Sequence, residues 1–181
     1  VDTFTVRAHF IQVFVPVPVR MILGNNADEI LPGLWLGNFN SSKDEVFLKT
    51  KNISTVFNCT KDLPFSPLAT TRYRVPVDDN LQADEIRNME LWSYEIIYKL
   101  INEMKKGQPV LVHCAAGMQR SAAVVAMYLV ATQGMNWDKA YRHIKQRRNI
   151  AFFPGANFER AIQGFYTAFQ KEIRPALGEP Q

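Results

Sequence analysis

A cysteine and an arginine bracket five residues in the run His113-Cys114-Ala115-Ala116-Gly117-Met118-Gln119-Arg120-Ser121. A thiol is a strong nucleophile only as its thiolate. A helix N-terminus or a nearby cation lowers a cysteine pKa from about 8.5 to well below 7. An arginine keeps its charge, and its planar fork matches two phosphate oxygens. Ala115, Ala116 and Gly117 are small enough for backbone to close around a tetrahedral dianion. Ser121 can donate its hydroxyl to the sulfur, which helps when the thiolate must leave. His113 is placed to bond nearby backbone and hold the loop. The set suits attack by sulfur on phosphorus, with Met118 and Gln119 supplying further loop amides.

Such a loop needs a strand before it and a helix after it. Pro109-Val110-Leu111-Val112 reads as a short buried strand, and Ala122 to Val130 reads as a helix. A strand, a tight loop and a helix N-terminus in that order make an anion site, with successive N–H groups pointing inward and the helix dipole adding partial positive charge.

His-Cys-x5-Arg-Ser resembles the signature of the cysteine-dependent protein tyrosine phosphatases, and the chain is similar to their dual-specificity branch over roughly Asp28 to Tyr166. Ile30-Leu31-Pro32-Gly33-Leu34-Trp35-Leu36-Gly37 is similar to the family's entry strand, and Ile53 to Asn58 to its first core strand. Leu111 to Gly117, with Ala151, Phe152 and Phe158, is most similar to the poxvirus-type enzymes of this branch. The resemblance implies an α/β domain: a central, mostly parallel mixed sheet of about five strands, flanked by helices. It implies hydrolysis of phosphotyrosine and phosphoserine/threonine through a phosphocysteine on Cys114, with no cofactor. Catalytic residues would be Cys114, Arg120, Asp79, Ser121 and His113. Residues 115–119 and Arg148 would bind substrate.

The leaving oxygen needs a proton, so an acid must reach the site. The family places an aspartate in a loop upstream of the nucleophile, after a strand ending much like Val75-Pro76-Val77. Two aspartates stand there, Asp78 and Asp79. The register past Pro76 favours Asp79 and leaves Asp78 as the alternative. Arg148 aligns, by ungapped count from the loop, with a position that binds a second substrate phosphate; its other reading is part of the solvated basic face formed with Arg142, Lys145 and Arg147. Cys59 has two readings as well, a small buried side chain or a partner for oxidised Cys114. Asn58 is expected to fix loop backbone. The chain departs from the family at Gln119, where serine or asparagine is commoner, and at Phe152-Phe153-Pro154-Gly155-Ala156-Asn157, which replaces a shorter loop. Both departures are expected at the pocket rim.

The whole chain bounds what remains. Its 181 residues, 47% hydrophobic, suit one domain with one substantial core. Two cysteines make no disulfide framework, so a reducing cytoplasmic or nuclear setting is expected, or a virion if the source is viral. No apolar run is long enough to span a membrane, and no signal peptide is visible. The three histidines, His9, His113 and His143, are dispersed, so no metal site is expected, and no Gly-Lys-Ser/Thr phosphate loop occurs. A net charge of +4 favours anionic partners but does not indicate nucleic acid. Phosphorylated proteins are the expected substrates. RNA 5′ ends and phosphoinositides are alternatives of the same chemistry, and an inactive phosphopeptide-binding module is an alternative of another class.

Residues 1–27 lie outside the resemblance. Their apolar run from Phe10 to Val19 carries Pro16 and Pro18, which exclude a central strand. It reads as a packed arm or as a homodimer contact. Residues 28–173 would be catalytic and 174–181 a flexible tail. Ser42 and Glu45 have capping-box spacing before Val46-Phe47-Leu48. Thr71 to Val77 reads as a strand. Ile86, Met89, Trp92, Ile96, Leu100 and Met104 recur at helical spacing up to Gly107. Further helices are expected from Asn136, as N-cap, to Arg148, and from about Asn157 to Ile173.

Overall fold

A computed structural model describes residues 24–176 and residue 178. The expected N-terminal arm therefore lies outside the described residues, apart from its last few positions. Five strands form one sheet: β1 (Ala27–Leu31), β2 (Leu34–Gly37), β3 (Thr55–Asn58), β4 (Thr71–Arg74) and β5 (Val110–His113). Their order is β1-β2-β5-β3-β4, with β1 antiparallel to β2 and every other pair parallel. The α/β expectation holds in strand number and in its mostly parallel pairing.

β5 lies at the centre, between β2 and β3, and all four of its residues are buried. A parallel strand covered on both faces reads as a near-continuous apolar run, which explains Val-Leu-Val before His113. Val110 and Val112 join Leu34, Leu36 and Phe57 in the main core, while Leu111 faces the other side with Val56 and Leu48.

The helices are α1 (Phe39–Lys43), α2 (Glu45–Thr50), α3 (Ala83–Lys105), α4 (Arg120–Gln133), α5 (Trp137–Arg147), α6 (Glu159–Ala168) and α7 (Arg174–Ala176), with a π-helical turn (Phe169–Ile173) between the last two. α4 packs against the sheet and against α3, α5 and α6. Its residues from Ser121 to Val130 are all buried, as befits a helix that is apolar all round. Gly134, at φ +62, closes it in the left-handed conformation that glycine adopts without strain. Asn136 caps α5 as expected, its side chain accepting from Lys139 N–H at 3.0 Å.

Four local expectations are corrected. Ile30 to Gly37 is a hairpin rather than one strand, because Gly33 turns the chain at φ +80 between β1 and β2. The Ser42/Glu45 capping box does not form. Asn38 and Asp44 cap two short helices instead, accepting from Ser41 and Phe47 N–H at 3.0 Å each, and Ser42 Oγ bonds back to Phe39 O. β4 stops at Arg74, before Pro76, whose missing N–H cannot extend a ladder. The last helix starts at Glu159 and changes to π-helical winding at Phe169.

Candidate active site

The loop of residues 114–119 leaves the C-terminal end of the central strand β5 and enters α4. That is where open parallel sheets carry their sites. Ser121 Oγ lies 3.1 Å from Cys114 Sγ and donates to it. Arg120, the first residue of α4, is half-buried and donates from Nη1 to Val77 O at 3.1 Å. That bond ties the arginine to the loop carrying the two aspartates.

The loop carbonyls are held from behind by the adjacent His113 and by residues far away in the chain. Cys114 O accepts from His113 Nδ1 at 3.2 Å. Ala115 O accepts from Phe39 N–H at 3.0 Å, and Met118 O from Phe152 N–H at 2.7 Å. Arg148 donates to Gly117 O at 2.7 Å and to Ala116 O at 3.4 Å. In a trans peptide the N–H points opposite to the C=O. Tying these carbonyls back therefore turns the amides of residues 115–119 to the other side of the loop. There a cavity of about 300 Å³ opens, walled by Cys114, Arg120, Asp79 and Phe153 among others. An inward ring of amides beside a fixed guanidinium is a receptor for a tetrahedral oxyanion.

Gly117 is required on two counts. Its φ is +66, and a Cβ there would stand 2.5 Å from Gly37 O and 2.8 Å from an Arg148 nitrogen. The smallness read from the sequence is thus demanded from behind the loop as well as from the pocket.

The structure separates the two aspartates. Asp79 is exposed and lines the cavity with Cys114, and its Oδ1 accepts from Asn157 Nδ2 at 2.8 Å. Asp78 turns to the surface, where Lys61 Nζ bridges its carboxylate at 2.8 Å and that of Glu85 at 2.7 Å. Glu85 also accepts from Asp78 N–H at 2.9 Å. The Lys61 ammonium, together with that N–H, holds the Glu85 carboxyl below its ordinary range.

Arg148 sits otherwise than expected, whereas Gln119 lines the pocket and His113 holds the loop as read from the sequence. Arg148 is a fully buried side chain, paired with Asp28 at 2.7 Å and bonded also to Asn25 O at 2.8 Å. It lies behind the loop, so it cannot meet a second substrate phosphate, and it does not belong to the solvated face of α5. Gln119 is buried with its carboxamide turned into the 152–157 segment, so only its backbone N–H remains for an anion. His113 is buried, and burial pushes its pKa down to about 4 against the smaller upward pull of its bond to Cys114 O. A neutral ring donating from Nδ1 holds the loop and brings no cation to the sulfur.

Around the site, Asn58 fixes backbone as expected, donating to Leu63 O at 2.8 Å and accepting from Thr60 N–H at 3.2 Å. Cys59 is buried and its N–H donates to His113 O at 2.8 Å, which sets it beside Cys114 at the ends of adjacent parallel strands. Burial pushes the Cys59 thiol well up, and the neighbouring Cys114 acts in the same direction. Phe39 carried no signal in the sequence. Val77 was read there only as the strand end before the acid, whereas Phe153 and Asn157 belong to the segment expected at the pocket rim and do line the cavity. Among the described residues, no group of His, Cys, Asp and Glu is arranged to hold a metal ion. No helix among them is long and apolar enough to cross a membrane.

Residues 34–168 match the family model described as dual specificity phosphatase, catalytic domain. Dual specificity protein phosphatase 2 of Mus musculus is 34% identical over 67% of this chain and 37% of its own length. Dual specificity protein phosphatase 15 of Mus musculus is 29% identical over 87% of this chain and 65% of its own. The chain thus spans well under half of the first relative and about two thirds of the second. The crystal structure of human DUSP28 superposes with a TM-score of 0.70 at 26% identity, covering 81% of this chain and 97% of that one.

Proposed function

The chain belongs to the dual specificity phosphatase family, and we propose that it hydrolyses phosphotyrosine and phosphoserine/threonine in proteins through a covalent phosphocysteine. The observation that carries the reading is Ser121 Oγ donating to Cys114 Sγ at 3.1 Å, in a loop whose carbonyls are tied back and whose amides face a cavity. Cys114 Sγ attacks phosphorus, and the bond to the ester oxygen breaks. Arg120 and the amides of residues 115–119 hold the equatorial oxygens, strengthening as charge develops. Asp79, at the cavity wall, gives its proton to the departing oxygen. Water then attacks phosphocysteine while Asp79 takes a proton from it, and Ser121 stabilises the departing thiolate.

The experiment is turnover of phosphotyrosine and phosphoserine peptides, capless RNA and inositol lipids, for the wild type and Cys114→Ser. The expected result is peptide hydrolysis that is lost in Cys114→Ser, with phosphopeptide binding retained. Preferential turnover of RNA or lipid would move the substrate class. Phosphopeptide binding without any turnover would make the protein a binding module.

Four finer readings belong to the same proposal. The catalytic unit runs over residues 28–173. The similarity of Leu111 to Gly117, Ala151, Phe152 and Phe158 to the poxvirus-type enzymes supports an affinity with that branch, and a phylogeny grouping the chain within vertebrate phosphatases would remove it. The apolar arm before residue 28 pairs two copies, and sedimentation with and without the arm tests it. Two free cysteines, both buried, support a reducing cytoplasmic or nuclear setting.

A further inference from the structure

Gln119 and the 152–157 segment, both expected at the pocket rim, are parts of one hydrogen-bonded unit. Gln119 Nε2 donates to Phe153 O at 3.0 Å and to Gly155 O at 2.8 Å. Its Oε1 accepts from Asn157 N–H at 2.9 Å. Both amide donors and the carbonyl are thereby used, and the residue is only 6% exposed. With Phe152 N–H on Met118 O at 2.7 Å, four bonds fasten this segment to the phosphate loop. A serine in its place has one hydroxyl on a short stem and cannot make these three side-chain bonds at once.

The fastened segment leads to the acid. Asn157 has its backbone fixed by Gln119 and its side-chain Nδ2 on Asp79 Oδ1 at 2.8 Å. Asp79 is exposed, and an exposed aspartate without a tether samples several rotamers. A donor occupying Oδ1 leaves the carboxyl proton on Oδ2, the oxygen free to meet a leaving group. We propose that Gln119 and Asn157 are positioning residues for Asp79: Gln119 locks the 152–157 segment, and Asn157 holds the carboxyl so that Oδ2 delivers the proton. The proposal rests on Asp79 being the general acid. No bond is made or broken at Gln119 or Asn157; the proton passes from Asp79 Oδ2 to the ester oxygen.

The test compares kcat on a phosphoserine peptide, whose alkoxide needs a proton to leave, with kcat on an aryl phosphate bearing a good leaving group. Asn157→Ala is expected to lose about 10- to 100-fold on the peptide, part of the 10²–10⁴ that general acid catalysis supplies, and less than about 3-fold on the aryl ester. Gln119→Ser should lose on both substrates, and more on the peptide than on the aryl ester. In an Asp79→Asn background Asn157→Ala should not lower the peptide rate by more than about 3-fold, because the group it positions is gone. Equal losses on both substrates, or an Asn157→Ala loss persisting in the Asp79→Asn background, would overturn positioning in favour of a general effect on the pocket. Asn157 is half-buried, so its variant carries the test alone if circular dichroism shows Gln119→Ser to be unfolded. Cys114→Ser gauges the enzymatic reading separately. Asp79→Asn that loses no more on the peptide than on the aryl ester would remove the acid and this proposal together, with the thiolate chemistry still standing.

Discussion

Removing the Arg148 side chain tests whether the phosphate loop depends on a support the substrate never touches. Arg148→Met keeps much of the volume and deletes the guanidinium. Asp28 then loses its partner at 2.7 Å, and Gly117 O, on a buried residue, loses a donor at 2.7 Å. Breaking a buried ion pair from one side costs about 3–5 kcal/mol. The Asp28 side chain keeps 14% exposure, so water recovers part of its cost. The orphaned carbonyl adds about 1–3 kcal/mol, not fully additive. A net loss of about 4 kcal/mol follows, a large share of the 5–15 kcal/mol typical of a domain. For a domain this size, about 2–4 °C per kcal/mol lowers Tm by roughly 8–16 °C. Urea unfolding followed by circular dichroism reads the loss, and turnover of singly and doubly phosphorylated peptides reads the site. Both peptides should suffer alike, because the loop amides lose their backing. A stability loss under about 1 kcal/mol, with KM raised only for the doubly phosphorylated peptide, would refute the reasoning and return Arg148 to the substrate.

Asp79→Asn should lower kcat on alkyl phosphates by about 10²–10⁴-fold, whereas Asp78→Asn, which loosens only an exposed bridge to Lys61, should stay within a few-fold; steady-state kinetics decides, and the opposite ranking would exchange the roles. His113, with a pKa near 4 in the fold against 6.5 unfolded, binds fewer protons folded than unfolded between those values. Its contribution is thus fully present above about pH 6.5 and is lost as pH falls toward 4, by roughly 3 kcal/mol. His113→Asn should remove that part of the acid slope in denaturation curves, and an unchanged slope would refute a buried neutral ring. Under peroxide, Cys114 should form a sulfenic acid with which Cys59 condenses, releasing water. Thiol titration should then show both cysteines lost and recovered by reductant, in the wild type but not in Cys59→Ser, and peptide mapping that finds only over-oxidised Cys114 beside free Cys59 would count against it.

The reacting groups were legible because they are contiguous. Cys114, Arg120 and Ser121 need only a strand, a loop and a helix in sequence, and the apolar run of β5, the continuous apolar α4 and Gly134 specify those locally. The long stripe of α3 and the Asn136 cap were legible for the same reason. Where two local signals competed, the pattern alone misled: the Pro32-Gly33 turn inside an apolar run, or Ser42 beside better-placed caps at Asn38 and Asp44. What backs the site was not legible, because it comes from distant segments. Phe39, Arg148 and Phe152 hold the loop carbonyls only once the sheet has set β5 beside β2 and α5 has returned along the loop. The same holds for the aspartates. Two adjacent carboxylates are nearly equivalent as sequence; Lys61 and Glu85 draw one outward, and Asn157, anchored by Gln119, bonds the other at the cavity wall. The chain's own order determined which chemistry was present. Contacts made across dozens of residues decided which way the amides, the arginine and the acid point, because a direction in space is a property of the packed chain and not of any stretch of it.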